Sequence, residues 1–98
     1  MMINQNKDGS KLCLSLDGRL DTATAPDLEA IIDSSIEGIT MLTIDMENLE
    51  YVSSAGLRVI LKAQKIMNGQ GEMKLRNVNE TIMEVFDITG FIDILTIE

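Results

Sequence analysis

The sequence predicts an α/β protein: a mixed sheet of four to five strands with helices packed mainly on one face, in the order ββαβαβαβ. Three observations carry this. Leu12, Leu14 and Leu16 alternate with Cys13 and Ser15, the period of two expected of a strand with one buried face. Three later segments repeat apolar residues at helical spacing between residues that start and stop helices. Met41 to Met46 is an apolar run too short for a helix, which reads as a buried central strand. Each parallel βαβ step should cross over right-handedly. If that gathers the helices on one face, the other face must be covered by loops or left partly polar.

Taken in order, Met2 to Asn6 and Lys11 to Asp17 flank Asp8-Gly9-Ser10, and an Asp-Gly between two short segments is a hairpin signal. Cys13, in mid-strand without a cationic neighbour to depress its pKa, reads as a small core or semi-core residue. Gly18 to Asp27 is a loop that leads into a helix. Pro26 and Asp27 in its first turn are start signals, and Thr24 is the expected N-cap. Leu28, Ile31, Ile32 and Ile36 form the apolar stripe, Asp27, Glu29, Asp33 and Glu37 lie on the solvated side, and Gly38 ends the helix.

The helix after Ser54 places Leu57, Ile60, Leu61, Gln64 and Met67 along one side and Arg58, Lys62 and Lys65 along another. Asn68-Gly69-Gln70-Gly71 closes it with residues that tolerate left-handed backbone angles. Glu72 to Arg76 is a fourth strand. Asn79 caps a third helix with Ile82, Val85 and Phe86 facing inward, ending near Thr89-Gly90, and Ile92 to Ile97 finishes as a short strand.

Ninety-eight residues provide for one core, so residues 1–98 are expected to be a single domain. With three aromatic residues, that core must be aliphatic. No apolar run approaches the roughly 20 residues needed to span a bilayer, and the N-terminus lacks signal-peptide character, so a cytoplasmic protein without membrane insertion is expected. One cysteine excludes an internal disulfide. The absence of histidine removes the commonest general base and metal ligand, and no cofactor is expected. Asp45, Glu47 and Glu50 lack a tight ligand spacing and read as a solvated strand end rather than a metal site. Sixteen acidic against eight basic residues give a net charge of −8, which argues against nucleic-acid binding and favours a protein partner with a basic face.

The stretch from Glu50 to Leu61 is where strand and loop give way to helix, and two serines sit at the change. Either can cap the helix by accepting from an otherwise unpartnered backbone N–H. Either is also a loop hydroxyl beside the positive end of a helix dipole, where an added phosphate is electrostatically tolerated. Asp21 likewise has two readings: a carboxylate that organises its own turn, or a surface group used in partner or phosphate recognition. The Arg58, Lys62, Lys65 stripe is either an ordinary solvated face or a docking face beside the serines.

At this point the chain resembles the STAS domain family, and within it the small single-domain anti-sigma factor antagonists. Gly18-Arg19-Leu20-Asp21 followed by Thr24-Ala25 is similar to the family's Gly-x-Leu-Asp loop before its first helix. Tyr51-Val52-Ser53-Ser54-Ala55-Gly56-Leu57 resembles its aromatic-x-Asp-Ser-Ser/Thr/Ala-Gly-Leu loop, and Phe86-Asp87-Ile88-Thr89-Gly90-Phe91 its Phe-Asp-x-Ser/Thr-Gly-Leu/Phe segment. The order and spacing of the three carry more than any one alone.

Alignment on Gly56-Leu57 puts Ser54 at the family's phosphorylated position. The resemblance implies that the unphosphorylated protein binds an anti-sigma factor with serine kinase activity and so releases a sigma factor. The resemblance further implies that phosphorylation of Ser54 ends that binding and that a metal-dependent serine phosphatase resets it. The implied partner-binding residues are Asp21, Thr22, Ser53, Ser54, Ala55, Gly56, Arg58 and Lys62. Two positions depart from the pattern: Ser53 stands where many phosphorylated members have Asp, and Arg58 where they have a second Gly.

The alternative within the family is a STAS subunit of a lipid-transport complex or signalling array that uses the same loop without phosphorylation. A different class, an enzyme or phosphocarrier with Cys13 or Ser54 as nucleophile, would need a positioned base or a phosphate-binding loop, and the chain shows neither. Rapid modification of Cys13 by a thiol reagent in the native state would favour it.

Overall fold

A computed structural model describes all residues 1–98. Strand β1 (Met2–Asp8) pairs antiparallel with β2 (Lys11–Leu20) through a two-residue turn in which Gly9 has φ +62°. Helix α1 (Ala25–Ser35), β3 (Met41–Val52), α2 (Ser54–Asn68), β4 (Glu72–Arg76) and α3 (Glu80–Thr89) follow. The sheet order is β1-β2-β3-β4, with β3 parallel to both β2 and β4. Leu12, Leu14, Leu16, Leu42, Ile44, Met46, Met73 and Leu75 point to the helix side and are all buried. There they meet Leu28 and Ile32 of α1, Leu57, Ile60 and Met67 of α2, and Ile82 and Phe86 of α3 in one cluster that is aliphatic apart from Phe86. Gln64 is the buried polar residue of that layer; its Nε2 donates to Asn68 Oδ1 at 2.8 Å.

The opposite face of the sheet is left open and partly polar. Cys13, Ser15, Thr43, Asp45 and Lys74 lie half-buried on it, so Cys13 is a semi-exposed sheet residue rather than a core one. Asp45 is held there by Arg76 at 3.5 Å, the Asn77 amide at 3.0 Å and the Glu47 N–H at 3.0 Å. Desolvation pushes its pKa up, but the hydrogen bonds from Asn77 and Glu47 and the Arg76 charge outweigh that and hold it below the usual range. A carboxyl depressed in the folded state stabilises above its unfolded pKa of about 4 and ceases to do so as pH falls through the folded value. Asp45→Asn is therefore expected to cost at most about 1 kcal/mol at pH 7. The gap between its urea midpoint and that of the wild type should close on acidification below about pH 4.

Four expectations need correction. Strand β3 does not stop near Met46 but runs to Val52, and β2 runs on through Gly18 to Leu20, expected as loop, because register shifts between Ser15 and Asp17 and between Gly18 and Arg19 let the two strands stay paired. Thr24 occupies the cap position but does not cap; its backbone is helical and the Asp21 carboxylate does that work. Helix α2 ends without a left-handed residue, since Gly69 has φ −88°. Gly71 is required for close approach instead, because a Cβ there would lie 2.0 Å from the Thr40 carbonyl oxygen. Finally, the order ββαβαβαβ holds with its last strand reduced to a single bridge, Leu75 to Ile97, so the sheet proper has four strands. Gly90, left-handed at φ +78°, turns Phe91–Asp93 into a 3-10 helix where a strand was expected to begin.

Candidate functional site

Strands β2 and β3 end side by side, with Arg19 opposite Tyr51 and Leu20 opposite Val52, and this register sets two loops against each other. The Ser53 N–H donates to the Leu20 carbonyl at 2.8 Å, so the loop after β2 and the start of α2 are joined through the backbone. Gly56 closes the junction: a Cβ on it would meet Leu20 Cγ at 2.6 Å and the Leu20 carbonyl oxygen at 3.0 Å. Only a residue without a side chain lets the first turn of α2 sit this close to Leu20, which is fully buried.

The two serines have separate jobs. Ser53 has extended backbone angles and its Oγ accepts from the Gly56 N–H at 3.3 Å, which makes it the N-cap. Ser54 is the first helical residue; it is exposed, and its hydroxyl makes no hydrogen bond within the chain. Ser53→Ala should therefore destabilise by about 0.5–1 kcal/mol, the low end for a lost cap given the long bond, whereas Ser54→Ala should change stability by less than about 0.5 kcal/mol. Thermal melts of the two variants check this directly.

Across the junction, Asp21 organises its own turn. Its Oδ1 accepts from the Ala23 and Thr24 N–H groups at 3.0 and 3.1 Å, and its own N–H donates to Thr24 Oγ1 at 2.9 Å. The Thr24 hydroxyl donates to the Arg19 carbonyl at 2.7 Å. Desolvation raises the Asp21 pKa, but donation from Thr24 and Ala23 together with the Arg19 charge more than offsets this and holds the carboxyl below its ordinary value. Asp21 is thus a charged, half-buried turn former at neutral pH, and Thr22 beside it is exposed.

Asp21, Thr22, Ser53, Ser54, Ala55 and Gly56 are thereby brought to one rim, with Asp21, Ala55 and Ser53 half-buried and Gly56 buried beneath them. Arg58 is exposed one turn along α2. Lys62 belongs to the rim less than expected. It spans to α1, 3.0 Å from Asp33 and 3.4 Å from Glu29. The Asp33 hydrogen bond is the largest influence on it; desolvation acts the other way, and the net effect with Glu29 is a raised pKa.

One feature of the rim was missed from sequence. The Arg19 guanidinium stacks over the Tyr51 ring, 4.5 Å from its centroid, and its Nε lies 3.9 Å from Asp21 Oδ2. Tyr51 was visible as the aromatic at the head of the loop, but its partner depends on the β2–β3 register beyond the bulges. Three residues before the end of β3, Asn79 ties the start of α3 to that strand, its Oδ1 accepting from the Ile82 N–H and its Nδ2 donating to the Leu49 carbonyl, both at 2.9 Å.

A one-sided α/β sheet, with a free serine at the first position of a central helix and a neighbouring carboxylate loop on the same rim, defines a small module that presents its site at the surface. The chain belongs to the STAS domain family: the STAS domain model matches residues 2–98. Among its relatives, BtrV of Bordetella bronchiseptica is 34% identical over 99% of this chain and 85% of that one. The anti-sigma-B factor antagonist of Bacillus subtilis is 31% identical over 97% and 86%. The solved structure of the anti-sigma factor antagonist SpoIIAA in its unphosphorylated form is similar with a TM-score of 0.79 at 19% identity, covering 99% of this chain and 87% of that one. An anti-sigma factor antagonist from Mycobacterium paratuberculosis reaches 0.88 at 18% identity, covering 98% and 83%. At these identities the two structures bear on the fold alone.

Proposed function

We propose that the protein is an anti-sigma factor antagonist, a non-enzymatic binding module working as one unit over residues 1–98 in the cytoplasm. Unphosphorylated, it binds an anti-sigma factor with serine kinase activity and so frees a sigma factor; phosphorylation at Ser54 ends the complex, and a metal-dependent serine phosphatase restores it. The observation that carries this reading is the division of labour between the serines. Ser53 holds the cap, so Ser54 is left exposed and unbonded at the helix start, where a kinase can reach it without dismantling the fold. The names of the relatives over nearly the full chain support the same role. No helix is long and apolar enough to cross a membrane.

Incubation with ATP and an anti-sigma factor of the serine-kinase class, followed by phosphosite mapping, tests it. Modification at Ser54 is expected; no modification and no complex with either wild type or Ser54→Ala would overturn it. The alternative, a STAS subunit of another assembly such as a lipid-transport complex or signalling array, is favoured by one observation, Ser53 in place of the family's Asp. It predicts a stable complex that ATP does not dissociate.

A further inference from the structure

The last 22 residues of the chain, from Asn77 on, carry five carboxylates and no lysine or arginine. Lys74 reaches one of them, Glu98, at 4.0 Å; Glu80, Glu84, Asp87 and Asp93 make no ion pair. Glu80, Glu84 and Asp87 are spaced by four and three residues, so they lie along one outer face of α3. The same surface is apolar to a degree a solvated face does not need. Ile88 is 85% exposed, Ile94 51% and Ile92 38%, half of the large exposed hydrophobic residues of the whole chain. Single exposed apolar residues are ordinary, but three within seven positions among unpaired acids make a patch. Between α3 and the 3-10 turn the surface dips into a groove of about 360 Å³ lined by Glu80, Met83, Glu84, Asp87 and Ile92.

We propose that this face is a second docking surface, separate from the Ser54 rim, and that its occupant is a basic amphipathic helix of a protein partner. Three acids at helical spacing that line a groove together with Met83 and Ile92 are complementary to a helix carrying Lys or Arg at the same spacing beside an aliphatic stripe. The length agrees: the ten residues of α3 extend over about 15 Å, three turns of a partner helix. An anionic membrane or a nucleic acid would be repelled by the four unpaired carboxylates. The groove contains no residue of the loop that carries Ser54.

The test uses the full chain, isotopically labelled, titrated with a synthetic helical peptide of roughly 15 residues with Lys at i, i+4 and i+7 beside a Leu stripe. Amide shifts should saturate and concentrate in residues 80–94. The double variant Glu84→Gln/Asp87→Asn should weaken binding at least about fivefold, and Ile88→Ser about threefold. Ile88 is so exposed that its replacement leaves the fold intact, which keeps the apolar part of the proposal testable without Ile92. An α1-side control variant that neutralises two exposed acids, Asp27 of α1 and Glu37 just beyond it (Asp27→Asn/Glu37→Gln), should cost less than about twofold. The proposal is overturned if the α1 variant loses as much as the α3 variant, if shifts spread over every acidic surface, or if a Glu-for-Lys version of the peptide binds equally well. It is overturned too if the 80–94 amides move with protein concentration alone, which would assign the face to a second copy.

Discussion

Gly56→Ala is expected to destabilise the protein by roughly 1–3 kcal/mol, although alanine is the better helix former by about 1 kcal/mol. The sign reverses because the added methyl lands 2.6 Å from Leu20 Cγ and 3.0 Å from the Leu20 carbonyl oxygen, and Leu20 has no exposed surface to retreat into. For a domain of this size each kcal/mol lowers the melting temperature by about 4–8 °C, so the variant should melt visibly earlier. The loss should come with a functional one, because the same contact seats the Asp21 turn against the start of α2 through the Ser53 to Leu20 bond. A double-mutant cycle isolates the cause. Leu20→Ala alone should cost about 2–5 kcal/mol through its cavity, while adding Gly56→Ala to it should cost less than in the wild type, since the new methyl then has room. Strict additivity would show that the glycine serves something other than this contact.

That junction also shows what was legible in the sequence. Gly18 to Asp21 and Tyr51 to Leu57 could be recognised as segments, and the alternation of Leu12, Leu14 and Leu16 and the apolar run at Met41 placed each of them after a strand, though not how far those strands run. Their mutual contact could not be read, since it depends on bulges in the β2–β3 register that no local pattern announces. For the same reason the Arg19–Tyr51 stack stayed hidden. Asp21 and Thr24 are both good cap residues three positions apart, and which carboxylate or hydroxyl turns inward is settled by the Arg19 carbonyl that takes the Thr24 proton. Lys62 was read from its own helix, where it belongs to a basic stripe; Glu29 and Asp33 on α1 withdraw it from that stripe across helix packing. The C-terminal strand was overestimated because Ile92 to Ile97 has strand-like composition, whereas the left-handed Gly90 commits the chain to a tight turn first.

Ser54→Asp should separate stability from binding with opposite signs. A carboxylate at the first helical position interacts favourably with the helix dipole, so the variant should be as stable as the wild type or up to about 1 kcal/mol more stable. Nothing need be broken to accommodate it, since Ser54 is exposed and bonds to nothing, and Ser53 keeps the cap. On the proposed function its affinity for the anti-sigma factor should nevertheless fall at least about tenfold, because a charge is introduced on the rim proposed to dock that partner. Ser54→Ala should bind within about threefold of wild type and resist the kinase. The phosphate itself should act more strongly than Asp, adding about −1.5 to −2 charges within reach of Arg58 one turn on. Arg58→Gln offers the finer discrimination. If the guanidinium receives the phosphate, the ³¹P titration of phosphorylated Ser54 should move to higher pH in the variant, since losing a cation disfavours the dianion. Equal midpoints would leave Arg58 to the partner, and a Ser54→Asp variant that bound as tightly as wild type would remove Ser54 from the interface altogether.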